Sequence, residues 1–558
     1  MRLNPKPTNF MTRKVLPLIL VLFSFVVFAQ STVDNLDKIL NERFSATEPG
    51  AAVLVVQNDK VLLRKGYGIA EINRKVPVSP DMVFRIGSIT KQFTSTAILK
   101  LVEEGKLSLQ DDVNKYLPDF KTQHPITIEQ LLNHTSGIKS YTSVPERMTT
   151  EAKKTKVSVA EMMGYIQGYP IDFKPGEQWL YNNSAYFLLG AVIEKVTGKT
   201  YNDYISQTFF KPLKMAASYP DDSKPIAKQA AGYTKGSGDA FVMADYVHPS
   251  IPYSAGSIFS TVDDLWKWNQ AVFSYKLVKK ELLEKAWEPT KTTDGSVESY
   301  GFGWQLGKVG DAKAIGHGGG IDGFLSFELY VPEKKIYVAL LANTTTVNPE
   351  DIAYTLAEEV AGIRGDKPEP ITLAAEAGDQ YVGVYKINDR EDRVITRNGN
   401  QYFSQRSGGT KFEIYPYADD QFAFTESNTK IKFTRDASGN VSEMEMLDRA
   451  FVPSRAVKTN KPIPAERTVF NLNPTDFDVF VGEYELAPGF LIKVWREENN
   501  YKAQATGQPS FDMFPESATK FFLKVVDAQI EFSRNEQGEV THMTLFQGGR
   551  AMPGKKVK

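Results

Sequence analysis

The sequence has no cysteine, so disulfides, a cysteine nucleophile, thiolate metal sites and a lipidated cysteine are all excluded. Histidine is also scarce. The five present, His124, His134, His248, His317 and His542, have no ligand-like spacing, and no metal site or cofactor is expected. An excess of charge of either sign is missing too: 66 basic residues oppose 67 acidic ones, a formal net charge of -1. Removing Arg2, Lys6, Arg13 and Lys14 with a leader leaves 62 against 67, or -5. Neither balance suits nucleic acid or an anionic membrane as the main partner. The apolar run Val15 to Phe28, behind Arg13 and Lys14, is shorter than the roughly 20 residues of a membrane span. Together with Val27-Phe28-Ala29 it reads as a cleaved secretory signal over 1–29, with no stable span afterwards and a periplasmic or extracellular destination. Without disulfides, the exported chain has to rely on large cores, and 558 residues with 42% apolar content can supply several.

What is present falls into two textures. Over 33–365, strand and helix patterns mix. Ala51 to Gln57 and Val61 to Gly68 read as a hairpin turning at Asn58-Asp59, and Phe324 to Val331 with Lys335 to Ala342 as paired strands around Pro332-Glu333-Lys334. Helices are expected after Ser88, over Ile126 to Leu132, and over Ala185 to Val196 with a stop at Gly198. Strands at both ends with helices between predict one α+β unit whose sheet joins chain-distant segments. A linker is expected over Gly365 to Pro370. Beyond it come short strands rich in Tyr, Phe, Val and Ile, and a repeat. An ungapped offset of 99 pairs Tyr381-Val382-Gly383-Val384-Tyr385 with Phe480-Val481-Gly482-Glu483-Tyr484, and likewise Tyr402 with Tyr501, Arg435 with Arg534 and Met444 with Met543. Two copies, 371–457 and 466–558, predict two separate small antiparallel β-barrels rather than a solenoid.

The chemistry starts from Gly87-Ser88-Ile89-Thr90-Lys91. On a helix, residues three apart share a face, and a hydroxyl beside an amine of lowered pKa is an activated nucleophile. Ser136-x-x-Lys139, Ser427-x-x-Lys430 and Ser517-x-x-Lys520 show the same spacing. The last two fall in strand-and-turn modules, and Ser136 lies in a Thr-Ser-Gly turn. Three other clusters share the α+β region: Leu131 to Ile138, Tyr181-Asn182-Asn183 ahead of a helix, and His317-Gly318-Gly319-Gly320 in a glycine-rich edge beside the late strands. Acyl transfer needs a nucleophile, a nearby base and backbone donors for an oxyanion, and glycines let backbone N–H groups approach a ligand closely.

Together these clusters resemble the serine β-lactamase and penicillin-binding-protein superfamily, in its class C-like branch of esterases, D-aminopeptidases and DD-peptidases. Ser88-x-x-Lys91 matches the first family motif, Tyr181-Asn182-Asn183 the Tyr-x-Asn motif and His317-Gly318-Gly319 a His-x-Gly form of the third. The resemblance covers roughly 35–360. It implies an antiparallel sheet with a helical subdomain and Ser88 as the acylated nucleophile. Lys91 and Tyr181 would share proton transfer, Asn183 would hold substrate and lysine, and the backbone N–H groups of Ser88 and Gly320 would form the oxyanion hole. His317 stands where β-lactamases usually carry lysine, and a mostly neutral imidazole is a poor fixed counter-charge for a substrate carboxylate. The tandem modules resemble the lipocalin-like barrels of D-aminopeptidases, in which a barrel loop can reach over the active site. The expectation is a secreted serine hydrolase of small-molecule, peptide or ester substrates. Peptidase or amidase work stands ahead of esterase work, with β-lactamase or DD-carboxypeptidase as alternatives and a non-catalytic ligand-binding sensor as the rival of another class. Substrate identity and oligomeric state have no sequence signature.

Overall fold

The computed structural model describes residues 31–558 apart from 224, 237–239, 364–366, 389–390, 408, 465–468, 488–489, 507–509, 527 and 548–549. The expected signal over 1–29 and part of the expected linker lie outside the described residues. The N-terminal unit is built on a six-stranded antiparallel sheet. Strand β1 (Ala51–Gln57) turns through Asn58 and Asp59, both with positive φ, into β2 (Lys60–Tyr67). Such a turn matches the right-handed twist of the strands it joins. The remaining strands come from late in the chain: β3 (Gln305–Val309), β4 (Ala312–Ile321), β5 (Phe324–Val331) and β6 (Ile336–Ala342). The order across the sheet is β3-β4-β5-β6-β1-β2, so chain-distant segments meet at the β6–β1 pairing.

Both faces of this sheet are covered, and the strand period of two divides β1 between them. Ala52, Leu54 and Val56 join the core under α1 (Thr90–Glu103), α2 (Asn183–Thr197) and α3 (Val262–Phe273). Ala51, Val53 and Val55 face the other way, onto helical residues 31–43 and α4 (Pro349–Val360). Helix α1 is the buried centre of the helical layer, with every residue from Thr90 to Leu99 out of solvent. Helix α2 starts where the Asn182 side chain accepts from the Ala185 N–H and stops at left-handed Gly198. Asn182, rather than Asn183, is therefore the cap, and this leaves the Asn183 amide available to the site.

The 99-residue repeat folds as two closed eight-stranded barrels, from Gly383–Lys386 to Arg455–Thr459 and from Gly482–Ala487 to Arg550–Lys556. Each has a core filled by its own aromatics, including Tyr385, Phe422 and Phe433 in the first and Tyr484, Phe521 and Phe532 in the second. A shared lock closes both: Tyr385 donates to the Tyr381 carbonyl and Tyr484 to the Phe480 carbonyl, each at 2.7 Å. No helix among the described residues is long and apolar enough to cross a membrane.

Candidate active site

Ser88 sits in a 3-10 turn, Gly87–Ile89, immediately ahead of α1, which begins at Thr90 rather than at Ser88. The spacing of three still brings Lys91 over the serine, with Nζ 3.0 Å from Ser88 Oγ. The turn is wedged against β4. Gly87 has φ +51°, and a Cβ there would lie 2.8 Å from the Gly320 nitrogen. A Cβ on Gly319 would lie 1.9 Å from the Ile86 carbonyl oxygen. The glycine run thus lets strand and nucleophile turn touch backbone to backbone. Ser326 on β5 locks the contact by donating to the Ile86 carbonyl at 2.9 Å.

Ser88 is partly open to solvent, whereas Lys91 is 0% exposed. Lys91 Nζ donates to Asn183 Oδ1 at 2.8 Å and to the Ala255 carbonyl at 2.9 Å. All three oxygens around it are neutral, and burial holds its pKa well below the ordinary lysine value. A neutral amine has two N–H bonds and one lone pair. In that form the two acceptors would take the former and leave the latter for the Ser88 hydroxyl, whereas the charged amine donates to all three oxygens. Asn183 is held in turn by donating through Nδ2 to Thr142 Oγ1 at 3.0 Å.

The Tyr181 ring lies 4.7 Å from Lys91 Nζ. Its buried hydroxyl makes no hydrogen bond of regular geometry, although Ser88 is close enough to offset part of the rise in its pKa. Burial raises its pKa above the normal phenol value, so it stays protonated.

His317, 2% exposed, lies on β4 between β3 and β5. The glycine-rich segment is therefore an interior strand, not an edge. Its glycines mask the strand pattern, and at Gly319 the Ile86 carbonyl approaches too closely for a side chain. His317 Nδ1 is 2.6 Å from the Gly318 carbonyl, which can only accept, so Nδ1 carries the proton and Nε2 accepts from the Tyr300 hydroxyl at 2.8 Å. Burial, then the nearby Lys91, push the His317 pKa down to about 3. The Gly318 N–H is committed to Gln305 Oε1 at 2.9 Å, while Gly320 is exposed to solvent.

Sequence reasoning singled out the Leu131–Ile138 cluster but assigned His134 no role. Its Nδ1 accepts the Asn182 N–H at 3.1 Å, and its ring centroid lies 4.5 Å from Tyr181, 4.7 Å from Tyr300 and 5.1 Å from Tyr186. Burial first, then Lys91 and His317, keep it neutral. Tyr300 and Ala255 lie in two segments, Tyr300 to Trp304 and Ala255 to Thr261, that also fit the family resemblance, but sequence reasoning gave neither residue a role. The other Ser-x-x-Lys matches have ordinary settings. Lys139 pairs with Asp172 at 2.8 Å, and Ser517 accepts backbone N–H groups in a turn. Among the described residues, no group of three or more His, Asp or Glu side chains could hold a metal ion.

A half-open serine bonded to a buried lysine, in a turn pressed against an antiparallel sheet, is the site of an active-site-serine protein of the Ser-x-x-Lys class. The beta-lactamase family profile matches residues 32–362, and the chain belongs to that family, whose members are serine hydrolases. A domain of unknown function, DUF3471, matches residues 467–556. Protein flp of Staphylococcus aureus (strain MRSA252) is 34% identical over 304 residues, covering 53% of this chain and 59% of that protein. The chain therefore spans about three-fifths of that relative's length. Penicillin-binding protein 4* of Bacillus subtilis (strain 168) is 27% identical over 409 residues, 68% of this chain and 89% of the relative. The crystal structure of a D-stereospecific amidohydrolase from Streptomyces sp. superposes with a TM-score of 0.50 at 27% identity, covering 58% of this chain and 97% of that one.

Proposed function

We infer that the protein is an exported hydrolase that cleaves an amide or ester bond through a Ser88 acyl-enzyme, with D-aminoacyl amides or peptides ahead of simple esters. One observation carries this reading: a fully buried lysine among neutral oxygens, its nitrogen 3.0 Å from a solvent-reachable serine hydroxyl. Lys91 takes the Ser88 proton as Oγ attacks the carbonyl. The Ser88 and Gly320 N–H groups receive the oxyanion. Tyr181, held protonated by burial, passes a proton to the leaving group and recovers one from Lys91. Water then attacks the acyl-enzyme by the reverse sequence.

The likeness to a D-stereospecific amidohydrolase supports the amide preference. So does neutral His317, which offers no fixed positive charge where a penicillin or peptide carboxylate would need one. The likeness to a penicillin-binding protein keeps β-lactam acylation as the second reading. Labelling by a fluorophosphonate, lost in Ser88→Ala, tests the enzyme reading, and a folded wild type that does not label removes it in favour of a sensor. A panel of D- and L-aminoacyl p-nitroanilides, p-nitrophenyl esters and a chromogenic cephalosporin ranks the substrates. On that panel, His317→Lys should move preference toward carboxylate-bearing substrates.

A further inference from the structure

The two barrels differ in one hairpin. In the second barrel, Val540–Gln547 pairs with Arg550–Lys556 all the way down to Gln547↔Arg550. In the first, the equivalent pairing of Val441–Leu447 with Arg455–Thr459 ends at Glu445↔Arg455. The freed segment leaves the barrel and lies along the outer side of β3. The Lys308 N–H donates to the Arg449 carbonyl at 2.8 Å, the Phe451 N–H donates to the Leu306 carbonyl at 3.2 Å, and Gly307 faces Ala450 in an antiparallel bridge. The sheet edge, which the Ser299–Tyr300 segment pairs only at its start, is thereby continued by a piece of the barrel.

Two anchors hold the segment. Arg449 forms a fork with Glu358 on α4, Nε and Nη2 each 2.9 Å from a carboxylate oxygen, and its Nη1 reaches Asp351 Oδ1 at 2.9 Å. Such a bidentate pair fixes direction as well as distance. At the other end, the Val452 N–H donates to Ser299 Oγ at 2.8 Å, and that hydroxyl faces the Val452 carbonyl at 3.3 Å. Ser299 directly precedes Tyr300, the donor to His317 Nε2, and the Leu306 N–H closes the local loop onto the Ser299 carbonyl. The offset of 99 sets Gly548 and Gly549 against Arg449 and Ala450, so the second repeat carries no counterpart of the anchor in its sequence.

We propose that the segment 448–454 of the first barrel is a strut of the catalytic site, in which Arg449 and Ser299 act as positioning residues that hold Tyr300, and through it the neutral His317 ring, in place beside Lys91 and Tyr181. The barrel reaches the site along the sheet edge and from behind Tyr300. Although the strut's catalytic consequence rests on the serine-hydrolase reading, its structural core does not. The groups facing His317 are Lys91 on α1, Tyr181, Tyr300 and His134 from the loops, and its cross-strand neighbour Glu328 on β5. Tyr300 donates to the unprotonated Nε2 and so favours the neutral ring, and losing that bond makes protonation easier.

The test uses full-length Arg449→Ala, Arg449→Lys and Ser299→Ala with 15N-labelled histidine, the His317 signals being assigned by their loss in His317→Gln. In wild type the ring should remain the Nδ1–H tautomer down to about pH 4. In Arg449→Ala and Ser299→Ala its titration should move up by roughly a unit or more. Arg449→Lys should restore it only in part, because a lysine cannot make the fork. Turnover of the best chromogenic substrate should fall roughly tenfold, in kcat more than in KM. If Arg449→Ala does not fold, Ser299→Ala, which leaves the barrel anchor intact, decides alone. A lowered melting temperature with wild-type tautomer and titration overturns the proposal and leaves the segment as support only. If wild type fails to label with a fluorophosphonate, the hydrolase reading falls while the ring titration still decides the strut.

Discussion

Lys91 Nζ and Ser88 Oγ stand 3.0 Å apart, and the lysine meets them from a position fully shut off from water. A buried lysine with only neutral partners costs folding free energy, and under the proposed mechanism it is kept for its basicity. Lys91→Met should therefore keep the fold, with a melting temperature at or above wild type. Its kcat/KM should fall by about 10²–10⁴, the usual range for a general base. In wild type, the rate of fluorophosphonate labelling should rise with pH through an ionisation well below that of free lysine. Labelling of Lys91→Met at the wild-type rate would assign the first proton elsewhere, with Tyr181 the nearest candidate.

His317 makes stability depend on acid. Its folded pKa, about 3, lies below the unfolded value near 6.5, so between those values the unfolded chain binds the extra proton. Stability is thus whole above about pH 6.5 and is lost progressively as pH falls toward 3. His134, also pushed down by burial, adds to the same trend. His317→Gln can still donate to the Gly318 carbonyl and accept from Tyr300, yet it does not titrate. Urea denaturation at pH 7 and pH 4.5 should show a smaller loss for His317→Gln than for wild type. Equal losses would mean that the ring is not held neutral.

The repeats allow a matched pair of substitutions. Tyr385 and Tyr484 are both fully buried and donate to a carbonyl four residues upstream, at the same 2.7 Å. Tyr385→Phe and Tyr484→Phe each leave that carbonyl without its partner, at a cost of about 1–2 kcal/mol to the barrel concerned. Thermal or urea melts of the two variants should show similar shifts. A marked asymmetry would show that one barrel draws its stability from its neighbours instead.

Legibility in the sequence follows physical range. Signals carried by neighbouring residues were readable: the Asn58-Asp59 turn, the Gly198 stop, the alternating strands of the hairpins and the Ser88–Lys91 spacing. The 99-residue offset was readable because the two copies keep the same buried aromatics at the same strand positions. Hidden features depend on contacts between distant segments. Ala255 contributes only a carbonyl, Tyr300 matters because β3 and β4 bring it over His317, and His134 matters because the α2 cap folds back onto it. Arg449 looks like any surface arginine until α4 is beside it. The strand β4 was misread as an edge because its glycines are bland as strand formers, and the one most tightly required, Gly319, answers to Ile86 more than 230 residues earlier.

That last contact yields the most local test of the site. A methyl on Gly319 would sit 1.9 Å from the Ile86 carbonyl oxygen and 2.5 Å from Ser326 Oγ. Neither neighbour can swing away cheaply, since one is backbone and the other is bonded to that same carbonyl. Gly319→Ala must then push β4 off the Gly87–Ile89 turn, which separates the Gly320 N–H from the Ser88 N–H. A displacement near 1 Å costs about 10² in rate when it falls on groups that must converge on one oxyanion. The β4–β5 pairing, by contrast, runs on from Ile315↔Tyr330 beyond the disturbed residues. Gly319→Ala should therefore fold, bind substrate with a KM within a few-fold of wild type, and lose about 10²-fold in kcat. Gly320→Ala, whose added methyl meets only the Leu325 side chain at 3.3 Å, should be far milder. Comparable losses in the two variants would sever the link between the close approach at Gly319 and the proposed oxyanion hole.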